Sequence, residues 1–165
     1  MPRPTRVAPG PGQESVWDYP RPPRLEPTTA LVEVVLAGRT VARTSQALRV
    51  LETSHPPTYY LPADAFEPGS LRPTAGQSVC EWKGVASYFD VLAGTTVAPR
   101  AAWGYPQPSP AFARLTDHVA VYPSAMDACT VDGELVVSQP GDFYGGWITS
   151  AVVGPFKGDP GTRFW

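Results

Sequence analysis

The hydrophobic positions of this chain come in short runs that are separated by turns, prolines and glycines. The clearest run is LVEVVLAGRTVART, residues 31–44, in which two apolar segments flank the small pair Ala37-Gly38. Alternation with a period of two is typical of a β-strand with one buried face. A turn of small residues between two such segments indicates a hairpin, so this run predicts strand, turn and strand.

The same pattern returns along the rest of the chain. Further strands are predicted at four runs of similar character, namely ALRVLET, TYYLP, ASYFDVLAGTTVA and HVAVYP. ACTVDGELVVS contains Asp132-Gly133, the strongest local hairpin signal in the sequence. The segments ADAFEPGSLRPTAGQ and AAWGYPQPSP are rich in proline and glycine, and we predict that both are loops or connections.

One short helix is predicted at residues 109–116, with Ser109 capping the first turn and Pro110 at the first helical position. Pro and Gly account for 21 and 15 of the 165 residues, which disfavours long helices. The predicted fold class is therefore mostly β. Two small antiparallel sheets pack together, with this one helix and an extended Pro-rich N-terminal arm.

The composition predicts four parts of the chain. Residues 1–14 form a Pro/Gly-rich tail that we expect to be mobile, and residues 15–30 form a stiff extended arm. The arm carries aromatic side chains, so we expect it to dock on the body or on a second subunit. Residues 31–138 make up the β domain, and residues 139–165 form a tail of glycines and aromatics that packs on it.

Two of the predicted hairpins have nearly the same sequence. VLAGRTVA at residues 35–42 and VLAGTTVA at residues 91–98 agree at seven of eight positions. One interpretation is that two hairpins converge on the same strand-forming residues. The other is that the chain contains two related halves, whose sheets pack together and leave a cleft between them.

Charge and cysteine content argue against several functional classes. With 13 basic and 15 acidic residues, the chain lacks the positive charge of a non-specific nucleic-acid binder. Two cysteines, Cys80 and Cys129, are too few for a disulfide scaffold or a four-cysteine zinc site, and no metal or cofactor is predicted. No apolar run approaches the ~20 residues of a membrane span. We therefore expect a cytoplasmic protein with reduced thiols and no membrane partner.

Five motifs together resemble a known family. In chain order they are SVWDYPRPP, LRVLETSHPPTYYLP, CEWKGVASYFDV, AAWGYPQPSPAF and HVAVYPSAMDACTVDGE. The combination resembles the uncharacterised domain family numbered 427, sometimes labelled nucleotidyltransferase-like, and the C-terminal residues are similar to its actinobacterial members. The resemblance implies a small, mostly antiparallel β domain similar to β-tent folds. It implies no reaction, and the sequence has neither a Walker loop nor a Gly-Ser pair ahead of paired carboxylates.

Three side chains are candidates for catalysis: Lys83, His55 and Cys80. Lys83 lies between a tryptophan and a glycine, where it could bind an anion or act with a lowered pKa as a base or nucleophile. His55 precedes two prolines that stiffen its loop, and imidazole is suited to proton transfer. Cys80 can contact Lys83 only if the chain turns between them. The alternatives are a solvated lysine, a histidine bonded to backbone and a buried apolar cysteine.

Five aromatic residues near these candidates are predicted to bind a ligand: Tyr60, Trp82, Tyr88, Trp103 and Tyr105. The leading hypothesis is a small-molecule-binding protein or enzyme with an aromatic pocket between the two sheets. The pocket carries Lys83 and His55, and its ligand is a small planar or anionic organic molecule. The pattern favours an enzyme without indicating a reaction.

Two other hypotheses remain open from the sequence. The chain could be a non-catalytic interaction module, with YPRPPR as a polyproline ligand, or a homodimer with an interface made by the N-terminal arm. Alternatively, Cys80 and Cys129 could form a redox sensor, which requires them to be close in space.

Overall fold

Antiparallel β-strands make up most of the computed structural model, which describes residues 3–141 and 143–165. The prediction of a mostly β fold of packed sheets is confirmed. Numbered in chain order, the strands are β1 (Glu14–Ser15), β2 (Arg24–Pro27), β3 (Val32–Leu36), β4 (Arg39–Thr44), β5 (Leu48–Leu51), β6 (Thr58–Pro62), β7 (Leu71–Cys80), β8 (Gly84–Ala93), β9 (Thr96–Gly104), β10 (His118–Val121), β11 (Ala128–Val131), β12 (Glu134–Leu135), β13 (Val137–Ser138), β14 (Trp147–Ile148) and β15 (Val152–Val153). The helical segments are short 3-10 turns at Val16–Asp18, Ala63–Ala65, Pro110–Leu115 and Pro123–Ala125.

Two sheets make up most of the fold. Seven strands form the larger sheet in the order β2-β5-β6-β10-β9-β8-β7, and four form the smaller sheet in the order β12-β11-β3-β4. Neighbouring strands in both sheets are antiparallel. A parallel pair, β1–β15, and an antiparallel pair, β13–β14, connect the ends of the chain to this body.

The two hairpins with similar sequences belong to different sheets. The β3–β4 hairpin lies in the smaller sheet and the β8–β9 hairpin in the larger one. Ala37 and Gly38 both have positive φ, 51° and 72°, which is the backbone of a type I′ turn. The Arg39 guanidinium packs against Gly94, so the two turns lie beside each other.

Apolar side chains fill the space between the two sheets. Val34 of the smaller sheet is fully buried, as are Leu61 and Val91 of the larger sheet, and all three belong to one cluster. Trp147 closes this cluster from the C-terminal part of the chain and is also fully buried. The main interface between the sheets is therefore solid core.

The opposite face of the larger sheet builds a second apolar cluster. On β6, Tyr59 belongs to the core between the sheets and its neighbour Tyr60 belongs to the second cluster, as alternation requires. The 3-10 segment Pro110–Leu115 covers part of this face through Phe112 and Leu115. This second cluster positions the candidate site.

Two segments that the sequence predicted as loop or connection are strands. β7 begins at Leu71, inside the predicted loop, and β9 continues to Gly104 through the predicted connection. Pro73 fits because β7 is the edge strand of the larger sheet, where a missing backbone donor can face water. The register also shifts between Thr74 and Gln77, so a bulge absorbs the irregular residues of β7.

The predicted helix forms at Pro110–Leu115, but as 3-10 turns with a kink at Phe112. The predicted cap is wrong in one respect. Ser109 occupies the cap position without a side-chain capping bond, and its hydroxyl donates to the backbone carbonyl of Trp82 instead, at 2.5 Å. This bond ties the segment to the turn that carries Lys83.

The N-terminal arm packs on its own chain. Trp17 and Tyr19 are both about 5% exposed and share a cluster with Leu51 and Val152. The indole Nε1 of Trp17 donates to the carbonyl of Pro155 at 2.9 Å. No helix in the described part of the chain is long and apolar enough to cross a membrane.

The solid core between the sheets leads to a stability prediction. Leu61→Ala should lower the free energy of unfolding by about 2–5 kcal/mol, because it leaves a cavity in a tightly packed interface. Leu135→Ala is the matched control, since Leu135 is 62% exposed and Leu61 is fully buried. Urea unfolding measures both, and a Leu61→Ala loss as small as that of the control would contradict the packing described here.

Candidate functional site

A cavity of about 300 Å³ opens on the second face of the larger sheet. All five predicted ligand-binding aromatics line it: Tyr60, Trp82, Tyr88, Trp103 and Tyr105. Cys80 and Lys83 also line it. No described lining residue comes from the smaller sheet. The predicted location between the two sheets is therefore wrong, because apolar packing fills that interface.

The aromatic wall is held together by ring contacts and one hydrogen bond. The indole Nε1 of Trp103 donates to the Tyr60 hydroxyl at 3.3 Å, and the two rings meet edge to face. On its other side Trp103 packs against Tyr122, with ring centroids 4.5 Å apart. Tyr105 lies 6.3 Å from Tyr60, centroid to centroid. These contacts leave the wall little freedom to rearrange.

A tight turn presents Trp82 and Lys83 to the cavity. It joins β7 to β8, and Gly84 at its end has a φ of 111°, which L side chains rarely adopt. The backbone N–H of Ser109 donates to the Lys83 carbonyl at 3.0 Å. Together with the bond from its hydroxyl to the Trp82 carbonyl, this contact makes Ser109 the residue that holds the turn in place.

Lys83 lies against the aromatic wall, with its Nζ 5.6 Å from the centre of the Tyr105 ring. Burial lowers its pKa, but Tyr60, Cys80 and the Glu52 carboxylate raise it, and the pKa ends above its ordinary value. None of the salt bridges among the described residues includes Lys83. Of the two roles predicted for this residue, anion binding is the one that fits a lysine that stays charged.

The turn also brings Cys80 to the cavity. Cys80 pairs with Gly84 across the turn, is partly buried and carries a free thiol that acts on the pKa of Lys83. Cys129 lies instead in the core between the sheets, where burial raises its pKa to about 12. The two cysteines therefore belong to different clusters, and no observation supports the redox pair.

The buried side-chain amide of Gln139 determines which imidazole nitrogen of His55 carries the proton. The Gln139 Oε1 accepts from the backbone N–H of Gly146 at 3.1 Å, and its Nε2 donates to the carbonyl of Lys157 at 2.8 Å. The same Nε2 lies 3.1 Å from the His55 Nδ1. Nδ1 must therefore accept this bond, so the imidazole proton sits on Nε2. That nitrogen faces the Glu52 carboxylate at 3.6 Å.

His55 lies one layer behind the cavity wall. It is 7% exposed and packs edge to face on Tyr144, which does line the cavity. Burial lowers its pKa to about 3, and the charges of Lys157, Arg21 and Lys83 act in the same direction. The imidazole is therefore neutral at neutral pH, and it contacts two residues that line the cavity, Glu52 and Tyr144.

Several residues that line the cavity are not among the predicted ligand-binding residues, and Glu52 is the most important of them. Its Oε2 lies 3.3 Å from the Arg21 Nε and near the imidazole of His55. The signal in the sequence that could have indicated Glu52 is its position three residues before His55. Tyr122, Phe143 and Tyr144 complete the wall. Within the described ranges, no group of three or more His, Cys, Asp and Glu residues is arranged to hold a metal ion.

The buried neutral His55 leads to a pH prediction. The unfolded chain binds a proton near pH 6.5 that the folded imidazole does not bind until about pH 3. Stability is therefore highest above pH 6.5 and falls as the pH falls, by about 1.5 kcal/mol for this residue between pH 6.5 and 5.

Urea unfolding across this window measures the slope. His55→Gln should remove that part of the slope, whatever its effect on stability at pH 7. If the variant and the parent protein keep the same slope, His55 is not buried in its neutral form.

Comparison with known proteins assigns the chain to a family. The search of curated proteins gave no match at the threshold applied. The family model described as Domain of unknown function (DUF427) matches residues 24–132, about two thirds of the chain. The matched range includes Glu52, His55 and the turn that carries Lys83, whereas Phe143 and Tyr144 lie beyond it. The resemblance found in the sequence is thus confirmed, and the chain belongs to the DUF427 family.

Proposed function

We propose that this protein binds a small planar organic molecule with an anionic group in the aromatic cavity. The observation that carries the proposal is the Lys83 ammonium, which lines the cavity without a carboxylate within 4 Å among the described residues. A buried charge is stabilised only when it is paired or hydrogen-bonded. A ligand anion would supply that partner.

The size and the walls of the cavity support the planar part of the proposal. A volume of about 300 Å³ is at the lower end of the range for small-molecule sites and suits a molecule of one or two rings. Tryptophan and tyrosine side chains offer large flat surfaces to such a ring. Tyr60 and Tyr105 both belong to this wall.

The catalytic roles of Lys83, His55 and Cys80 stay predictions. A lysine that remains charged is a poor nucleophile, and a histidine with a pKa of about 3 is a weak base. His55 instead fits the role of a positioning residue, because its Nε2 proton faces the Glu52 carboxylate. Binding alone is therefore the function that we propose.

The interaction module and the arm-mediated homodimer also stay predictions. Trp17 and Tyr19, the aromatic residues of the arm, are buried against their own chain, so they offer no free surface in this arrangement. The proposal includes a cytoplasmic location, where the free thiols of Cys80 and Cys129 would remain reduced.

Replacement of the lysine tests the proposal. Lys83→Met keeps much of the side-chain volume and removes the charge, and Arg43→Met removes a charge from an exposed position on the smaller sheet. The probes are 2-naphthoate and benzoate, each compared with its neutral amide by calorimetry. Charged hydrogen bonds contribute about 1.5–3 kcal/mol, so each acid should bind about 10- to 100-fold more tightly than its amide.

Lys83→Met should abolish this preference for the acid, and Arg43→Met should leave it intact. Equal affinities of acid and amide for the unmodified protein would overturn the proposal. So would a preference that survives in Lys83→Met, since the anion would then be bound elsewhere.

A further inference from the structure

Glu52 gives the cavity a second charge, of opposite sign to Lys83. Its Oε2 faces both the Arg21 Nε and the His55 Nε2, at 3.3 and 3.6 Å. Neither oxygen of this carboxylate accepts a hydrogen bond from a described residue beyond these two charged contacts. Because Glu52 lines the cavity, its carboxylate can accept a hydrogen bond from a ligand at a site where Lys83 also has no carboxylate partner among the described residues.

The two charges influence each other without forming an ion pair. The Glu52 carboxylate raises the pKa of Lys83, yet the two groups are not within 4 Å of each other. Opposite charges in a partly buried cavity attract strongly, and flexible side chains would close the gap. The contacts that each group makes with the rest of the protein are consistent with this separation.

Each group is held by contacts of its own. Ser109 fixes the turn of Lys83 through bonds to two successive backbone carbonyls, Trp82 and Lys83. Arg21 and His55 hold Glu52 through its Oε2. The neutral imidazole supports the carboxylate without cancelling its charge, and Arg21 is 37% exposed, so water screens its charge.

We propose that the ligand is amphoteric: an aromatic ring that carries both an acidic group and a protonated amine. The acid binds Lys83, the amine donates to the Glu52 carboxylate, and the ring lies on the aromatic wall between them. This inference rests on the proposed binding function and names its ligand class. Glu81 also lines the cavity, but it is an exposed residue of the turn, so its charge is better screened than that of Glu52.

Two matched sets of probes test the charge pattern. One contains tryptophan, indole-3-propionate and tryptamine. The other contains 4-(aminomethyl)benzoate, 4-methylbenzoate and 4-methylbenzylamine, which place the two charges across a ring instead of on one carbon. In at least one set, the amphoteric molecule should bind at least about tenfold more tightly than either singly charged analogue, as measured by calorimetry.

Variants of the glutamates then test which carboxylate binds the amine of the probe. Glu52→Gln should reduce the affinity for the amphoteric probe to that for the acid, and it should leave the acid itself unchanged. Glu67→Gln is the matched control, because this exposed glutamate lies outside the cavity. Glu81→Gln distinguishes the other carboxylate on the wall.

The outcomes separate this inference from the proposed function. If the acids bind through Lys83 but the amphoteric probes bind no more tightly in either set, the ligand class is wrong and the binding function stands. A preference that depends on Glu81 instead of Glu52 would also overturn the inference. If none of the acids binds, the proposed function falls as well.

Discussion

The structure of the site depends on one unpaired charge, the ammonium of Lys83. It is held at an aromatic wall, with no carboxylate of the described residues within reach of an ion pair. Contact with the face of Tyr105 offers a cation about 0.5–2 kcal/mol, which is less than the penalty for removing a charge from water. The protein therefore presents a charge for which the proposed ligand anion would supply a partner.

Lys83 lies beside an aromatic wall because the larger sheet packs apolar residues on both of its faces. Alternation along β6 sends Tyr59 into the core between the sheets and Tyr60 to the cavity wall. The C-terminal segment then approaches the wall closely at Gly145. A Cβ at that position would lie 2.4 Å from the Cη2 of Trp103, so glycine allows the segment to cover the ring.

Local signals in the sequence predicted much of this arrangement. The Ala37-Gly38 and Asp132-Gly133 turns both have the positive φ values that their residue types suggest. The strand β7 was missed because Pro73 and a nearby glycine read as loop, although an edge strand with a bulge tolerates both. Five aromatic residues of the wall were predicted from their places on short strands next to proline-rich loops.

The sequence did not predict the features that depend on contacts between residues far apart in the chain. The pocket was assigned to the wrong side of the sheet, because alternation separates two faces without showing which one the second sheet covers. The tautomer of His55 depends on Gln139, 84 residues away, and no local pattern connects the two. The role of Glu52 likewise appears only when Arg21 and the imidazole are placed around it.

The charge of Lys83 can be measured directly. The chain has only two lysines, Lys83 and Lys157, so NMR titration of the side-chain Nζ signals, with Lys157→Arg for assignment, follows each one separately. The account predicts that Lys83 loses its proton above the ordinary pKa of 10.5. A Lys83 that is already neutral at pH 8 would contradict the anion-binding site on which the account is built.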